Sequence, residues 1–494
     1  MTVVPRRWFS TRALAGALAL ALLSACCGAA HAKLAIRPAP PAAGTPWQRL
    51  PRADRVLLDS LEARTFDYFW DLSDARNGLT PDRWPTHSFA SVGAMGFALT
   101  AYPIGAERGW VTREQAAKRT LATLRFLWSA RQDTARAGAT GYRGFFYHFL
   151  RPEDGARFEH VELSSIDTAL LMGGVLFTGE YFNRPVARER EVRALAESLY
   201  RRVDWAWMQP RPALLCLGWS PEEGHLPYDT GGYNETVLML VLAMGSPSHP
   251  AAPGTWERYT KGFRWGTFHG QDHLGFAPLF GHQYSHAWID FRGVADPWLR
   301  ARGIDYFENS RRATLAQRRY AIDNPGGFTG YGPNDWGLTA CDGPIDGKFT
   351  IDGRLREFHT YEARGASHTE VIDDGTLSPS AVAGSLPFAP EVVVPALRHM
   401  RATYGPELYS RFGFVDAYNP TFKLDQKTPQ GRVNPALGWF DTDYLGIDEG
   451  PILLMIENFR SGLVWRSMRH NPHLRRGLRA AGFRGGWLGG AAVR

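Results

Sequence analysis

From Asp54 onward, apolar positions recur at spacings of three and four: Leu57, Leu58, Leu61, Thr65, Tyr68 and Phe69. That spacing puts them on one face of a helix. Similar patterns predict helices near 112–130, 163–181, 187–207, 235–244, 388–404 and 449–461. Between them lie long segments dense in Gly, Pro, Trp and Tyr, at 215–234, 264–298, 324–387 and 412–448. There is no succession of β-α-β units, no Gly-rich dinucleotide fingerprint, no phosphate-binding loop and no fixed-period repeat. Helices separated by long aromatic loops predict an all-α helical barrel with one elaborated face. Loops longer than about 12–15 residues are uncommon unless they serve a function. No break in composition divides 52–465, which reads as one domain. Residues 26–51 read as a Pro/Ala-rich tether, and the Arg-rich stretch 466–494 as a frayed, solvated tail.

The first 25 residues have the order of an export signal. Arg6, Arg7 and Arg12 precede an apolar run from Ala13 to Leu23, too short to span a bilayer comfortably. Leu23-Ser24-Ala25-Cys26 resembles a lipobox, which would lipidate Cys26. Ala30-His31-Ala32 offers an ordinary cleavage site instead, and the paired arginines weakly resemble a twin-arginine signal. Either ending predicts a protein outside the cytoplasm, periplasmic or membrane-anchored through lipid alone. The net charge of +7 does not describe the domain. Three of the arginines lie in 1–25 and seven in 466–494, and neither stretch holds an acid, so the interval between them is slightly acidic. That argues against nucleic acid as a partner. Within the fold only Cys216 and Cys341 remain; they could pair, but their spacing does not require it. No C-x-x-C occurs, so a thiolate zinc site is not expected.

Three acidic sites share a local design: a carboxylate just before or within the first turn of a strongly apolar helix. The first holds Glu162 and, after Ser164, Asp167. Ser164 to Asp167 fits a capping pattern, so Asp167 could serve only the helix start; Glu162 lies outside that pattern. In the second, Asn234 is a good N-cap, which would put Glu235 in the first turn. The third holds Asp448, itself a candidate N-cap, and Glu449, with Pro451 tolerated in the first turn. Each alone could be a carboxylate stabilised by a helix dipole, worth up to about 1 kcal/mol. Helices apolar on most sides, however, are inner staves. If the three run the same way, their carboxylates converge at one end.

Convergent carboxylates suit glycoside hydrolysis, in which one acid protonates the leaving oxygen and another drives water or attacks the anomeric carbon. The 13% aromatic content, with 17 Trp, suits a groove that stacks on sugar rings, or equally a large core. The densest polar-aromatic stretch, Phe280 to Gly293, reads as a loop. His282, Gln283, Tyr284, His286, Trp288 and Arg292 in it are candidates for binding sugar hydroxyls and faces, or for buried polar support. His282 and His286 lie four apart, but no Glu follows His282 as in a zinc protease motif, and no metal is expected. The serine-hydrolase elbow G-x-S-x-G is absent.

Nine blocks in order resemble the bacterial endo-β-1,2-glucanase family, whose glycoamylase-like domain also occurs in cyclic β-1,2-glucan synthases. They are Thr65–Trp70, Glu162–Leu171, Tyr233–Glu235, Gly245–Pro250, His282–Gly293, Trp336–Pro344, Asp374–Pro379, Tyr444–Pro451 and Ile456–Asn458. The resemblance implies an (α/α)6 barrel and hydrolysis of β-1,2-glucan without cofactor or metal, endo-acting and inverting, by a monomer. It makes Glu235 the general acid, with Asp448 or Glu162 driving water. Asp167, Trp219, Tyr233, Asp342 and Glu449, with the polar residues of 282–292, are then expected to bind the β-glucan. Exo-acting, transglycosylating and purely glycan-binding forms remain alternatives.

Overall fold

A computed structural model describes residues 44–489. It is mostly helical, with ten small sheets of two or three strands in the loops. The principal helices are α1 (Arg52–Leu72), α2 (Val92–Arg108), α3 (Arg113–Ser129), α4 (Ser165–Tyr181), α5 (Ala187–Arg202) and α6 (Val237–Gly245). They continue with α7 (Tyr284–Trp288), α8 (Tyr306–Asp323), α9 (Pro379–Ala383), α10 (Pro390–Tyr404), α11 (Gly446–Arg460) and α12 (Pro472–Ala480). Two populations differ in the sequence pattern that makes them. In α6 every residue is buried, as its unbroken apolar run requires. In α5 a stripe containing Val192, Ala196, Leu199 and Tyr200 faces inward and charge covers the rest.

The buried helices are neighbours in chain order. Helix α2 packs on α4, α4 on α6, and α6 on α7; α7 and α9 both pack on α11, which returns to α2. Gln283, which caps α7, joins it to α9 by donating to the Ala381 carbonyl at 2.7 Å and the Ser385 hydroxyl at 2.8 Å. The amphipathic helices lie behind: α1 on α2 and α11, α3 and α5 on α2 and α4, α10 on α9, and α12 on α6.

Short strands run directly into the buried helices. Ala90–Ser91 pairs with Phe149–Leu150 and leads into α2; Leu163–Ser164 pairs with Gly218–Trp219 and leads into α4. Tyr444–Leu445 pairs with Arg83–Trp84 and leads into α11. Side chains close the open helix N–H groups: Ser91 accepts from Ala94 N, Ser164 from Asp167 N and Ser378 from Ser380 N.

Several expectations change. Helix α2 lacks a period of 3.6 because it is buried all round and carries glycines. Helix α8 was not anticipated because Asn309, Ser310, Thr314 and Gln317 are on its buried face, breaking the apolar stripe. The 280–293 loop is instead a 3-10 turn followed by the buried α7. The Arg-rich C-terminal stretch does not fray within the described residues: Asn471 caps α12, and Leu474 and Leu478 are buried. The end of the tether docks as well, where Trp47 meets Phe459 edge-on and lies 3.6 Å from the Arg460 guanidinium. Cys216 and Cys341 are both buried and free. Cys26 and the cleavage sites lie outside the described residues.

Helices α2 and α4 approach closely because they present glycines to each other. A Cβ on Gly96 would lie 2.3 Å from the Leu170 carbonyl oxygen, and one on Gly174 only 2.1 Å from that of Gly96. Gly174→Ala should therefore cost about 1–3 kcal/mol in denaturant unfolding, since backbone cannot yield as a side chain can. On the same helix a Cβ on Gly179 meets nothing closer than the Ala196 methyl at 3.2 Å. Gly179→Ala is expected to cost little, and equal losses for the two would refute the close-packing account.

Candidate active site

The starts of the buried helices meet at one end. Ser380, in α9, donates to Asp448 Oδ1 in α11 at 2.9 Å. Ser285, in α7, donates to the Glu235 carbonyl at 2.9 Å and accepts from Leu238 N, fixing the entry to α6. The Tyr284 phenol donates to the Ile447 carbonyl at 3.3 Å. Gly93, at the start of α2, has no room for a side chain: a Cβ there would sit 2.6 Å from Asp167 Oδ1 and 3.2 Å from Ile447 Cδ1. Burial first, then the charges of Asp448, Tyr361, Glu235 and Asp167, push the Tyr284 phenol well above its ordinary range. One side chain thus feels carboxylates from three helix starts.

Glu235 is not in the first helical turn, as the sequence pattern suggested. It lies in the turn that precedes α6, and the Asn234 carboxamide accepts from Thr236 N at 3.1 Å and from the Thr236 hydroxyl at 2.5 Å. Its Oε2 is buried and has no hydrogen-bond partner among the described residues. Burial raises its carboxyl to about 7, a backbone hydrogen bond opposes this, and the Asp167 charge adds to it. The helix dipole is weak outside the first turn, so it does not cancel the desolvation.

Glu162 and Asp167 share a partner that sequence reasoning missed. His148 Nδ1 lies 3.0 Å from Glu162 Oε1, and its Nε2 lies 3.3 Å from Asp167 Oδ2. Burial alone would lower the His148 pKa; the charge of Asp167 and the bond to Glu162 outweigh it and raise it to about 9. Glu162 is correspondingly held below its usual value, its burial overcome by the His148 bond and charge. Gly218 leaves space for it, since a Cβ there would lie 2.9 Å from Glu162 Cγ. Asp167 also takes the Ser164 hydroxyl at 2.5 Å, so the capping Ser164 orients the acid as well as the helix.

Asp448 sits in the first turn of α11 rather than capping it. Burial raises its carboxyl to about 7 against hydrogen bonds from Ser380 and Asp416, with Asp342 and Asp82 adding to the rise. Its neighbour Glu449 turns the other way. It is 1% exposed, bonds Thr65 of α1, and is pushed well up by burial.

The polar residues of 282–292 do not join the acids, apart from Tyr284. His282 is fully buried with Nε2 3.1 Å from the Phe276 carbonyl, and His286 Nε2 lies 3.0 Å from the Ser310 hydroxyl. Burial holds both rings neutral, near 3. Gln283 bridges α7 to α9, as described above. Trp288 donates to the Thr100 hydroxyl at 3.1 Å, and Arg292 pairs with Asp290 at 2.8 Å. Tyr233 packs against His282, Tyr306 and Phe263. Trp219 is half-buried beside Tyr142 and Trp207, on the strand paired to Leu163. Asp342 is buried and receives Arg83 Nη1 at 2.7 Å. Arg83, Asp416, Asp441 and Ser380 were missed as well. They come from segments up to 358 residues apart (Arg83 to Asp441), so no local spacing marks them.

Carboxylates gathered at the ends of buried helices, with Glu235 and Asp448 both held near neutrality, form the arrangement that carboxylate-dependent glycoside hydrolases use. The chain belongs to the glycoamylase-like family: the Glycoamylase family model, provisionally described as glucoamylase, matches residues 227–472. A curated relative from Parabacteroides distasonis, an exo-β-1,2-glucooligosaccharide sophorohydrolase acting at the non-reducing end, is 27% identical over 459 residues. That alignment takes in 87% of this chain but only 58% of the relative's length. A Bacteroides uniformis structure provisionally described as a glucoamylase has 30% identity and a TM-score of 0.74, over 89% of this chain and 99% of the other. The endo-β-1,2-glucanase of Chitinophaga pinensis, in complex with sophorotriose and glucose, has 26% identity and a TM-score of 0.73, over 88% and 99%.

The sign of the Glu235 effect can be measured. Its folded carboxyl, near 7, lies above the ordinary 4.5, so its contribution to stability is present below about 4.5 and lost as pH rises toward 7. Glu235→Gln should match the wild type at pH 4 and exceed its stability above pH 7, by at most about 3 kcal/mol. Denaturant unfolding from pH 4 to 8 tests this, and a difference that does not change with pH refutes the buried-acid account.

Proposed function

We propose that this chain hydrolyses β-1,2-glucan within the chain, with inversion, on an (α/α)6 barrel whose inner staves are α2, α4, α6, α7, α9 and α11. The neighbour order of those six helices supports the barrel. The observation that carries the chemistry is Glu235: a carboxyl held near 7, with one buried oxygen that has no hydrogen-bond partner among the described residues. Such a group stays protonated in part at neutral pH and gives its proton to the glycosidic oxygen as the bond breaks. Asp448, oriented by the Ser380 hydroxyl, removes a proton from the water that attacks the anomeric carbon. Glu162 is less free for that task because His148 holds it. Relatives that act on β-1,2-glucans support the linkage.

Glu235→Gln should leave the circular dichroism spectrum unchanged and lower turnover by about 10²–10⁴-fold. The loss should be greatest on substrates with poor leaving groups. A folded variant that keeps more than about a tenth of its activity removes Glu235 from the mechanism. Asp448→Asn should also abolish turnover, but without dependence on the leaving group. For the wild type, activity should fall as pH rises above 7 and Glu235 loses its proton.

The substrate reading is tested on a panel of β-1,2-, β-1,3-, β-1,4- and β-1,6-glucans with products resolved by length. A ladder of short oligosaccharides from the β-1,2-glucan alone is expected. Release of one small product from a chain end would instead place the enzyme with the exo-acting relative, and products longer than the substrate would mark transglycosylation. The anomer first formed, read by NMR, checks inversion. Export through the N-terminal signal is part of the same proposal. Membrane partitioning that Cys26→Ala abolishes would mark a lipoprotein, and a mature chain beginning at Lys33 would refute lipidation.

A further inference from the structure

Beside Asp448 lies a second group of acids that the mechanism uses as neither acid nor base, although Asp416 hydrogen-bonds Asp448. Asp342, Asp416 and Asp441 are 2%, 2% and 1% exposed, and one carboxylate oxygen from each lies within 4.8 Å of the other two. Each is also anchored. Asp342 Oδ2 receives Arg83 Nη1 at 2.7 Å, and the Asp342 backbone N–H donates to Asp416 Oδ2 at 2.8 Å. Asp441 Oδ1 accepts from Thr442 N at 2.6 Å and Asp443 N at 3.1 Å. Asp416 also shares a hydrogen bond with Asp448, while Asp441 Oδ2 is buried without a hydrogen-bond partner among the described residues.

The charge does not balance. Arg83 is shared with Asp82 and Asp443, each at 3.5 Å, and so cannot neutralise the three acids and the adjoining Asp448. Coordination chemistry narrows what could. Three carboxylate oxygens within 4.8 Å of one another can all reach one calcium ion, whose ligand oxygens at 2.3–2.6 Å lie at most about 4.6–5.2 Å apart, whereas magnesium keeps several waters and is seldom held by an all-protein cage. All the candidate ligands are hard oxygens, which suit such an ion.

We propose that Asp342, Asp416 and Asp441 form a binding site for a divalent cation of calcium size. They come from three separate segments: the strand Ala340–Asp342, the approach to Tyr418–Asn419, and the residue after Gly438–Phe440. The ion would tie these segments together around Asp448, and its binding does not depend on which substrate the enzyme cleaves. Burial, with the mutual repulsion of these acids, pushes Asp416 and Asp441 well above the carboxylate range when no ion is bound.

The test uses the full chain, stripped with EDTA and titrated with CaCl2 or MgCl2 at pH 7 by calorimetry, with thermal unfolding in parallel. One Ca2+ per chain should bind with a dissociation constant of about 10⁻³ M or tighter, Mg2+ at least about tenfold more weakly. The Tm should rise by several degrees at saturation. Asp441→Asn keeps the Oδ1 that closes its turn, so it should fold and lose the calcium response; Asp416→Asn is the second variant. A wild type with no binding heat and an unmoved Tm up to about 10 mM Ca2+ overturns the proposal and leaves protons as the neutralising species. Folded variants of both kinds that still bind Ca2+ overturn it too. If neither variant folds, the wild-type titrations decide alone.

Discussion

Carboxylates held away from water at the starts of apolar helices are the constraint on which the rest of this structure depends. Burial disfavours their charge, and a helix N-terminus returns only a few tenths to about 1 kcal/mol within its first turn. Each acid is therefore set by what else reaches it. Glu162 has His148 and stays ionised, and Asp448 has Ser380 but also nearby acids. Glu235 has a backbone bond and little more, so desolvation wins and its carboxyl moves to about 7. Glu162 and Glu235 thus acquire different proton affinities, while Asp448, raised to about 7 like Glu235, is set apart from it by its hydrogen bonds to Ser380 and Asp416.

Packing serves that arrangement. Helix starts can gather only if the helices behind them approach closely, and the glycines of α2 and α4 allow that. The two-residue strands ahead of α2, α4 and α11 set the entry of each helix against a distant segment. Arg83–Trp84 against Tyr444–Leu445 is the most consequential pairing. It joins the first part of the chain to the last of the buried helices and delivers Arg83 to Asp342. The loops are therefore tied to distant segments by short ladders and ion pairs.

The polar-aromatic stretch 280–293 shows how one composition supports two readings. His, Gln, Trp and Arg could meet a sugar or satisfy an interior. Here they mostly satisfy the interior: Gln283 bridges α7 to α9, Trp288 finds Thr100, and both histidines are neutral and enclosed. Tyr284 alone reaches the carboxylates. A buried polar side chain needs a partner as surely as a ligand-binding one, so residue type cannot separate the two.

The amino-acid sequence by itself determined the helical character, most of the long helices, the three acid-bearing helix starts and the family. Those features rest on local spacing: a period of 3.6, a Ser three residues before an Asp, an acid before an unbroken apolar run. It did not reveal α2, whose burial on every side erases the period, or α8, whose buried face is partly polar. Nor could it show that Glu449 turns toward α1 while Asp448 turns toward Ser380, because adjacent residues on a helix point about 100° apart and only the neighbours decide which direction is inward. Only the tertiary structure brought His148 between Glu162 and Asp167, and Asp342, Asp416 and Asp441 to within 4.8 Å of one another. Those contacts join residues far apart in the chain, and proton affinity and cation affinity depend on distance in space, which no spacing along the sequence encodes.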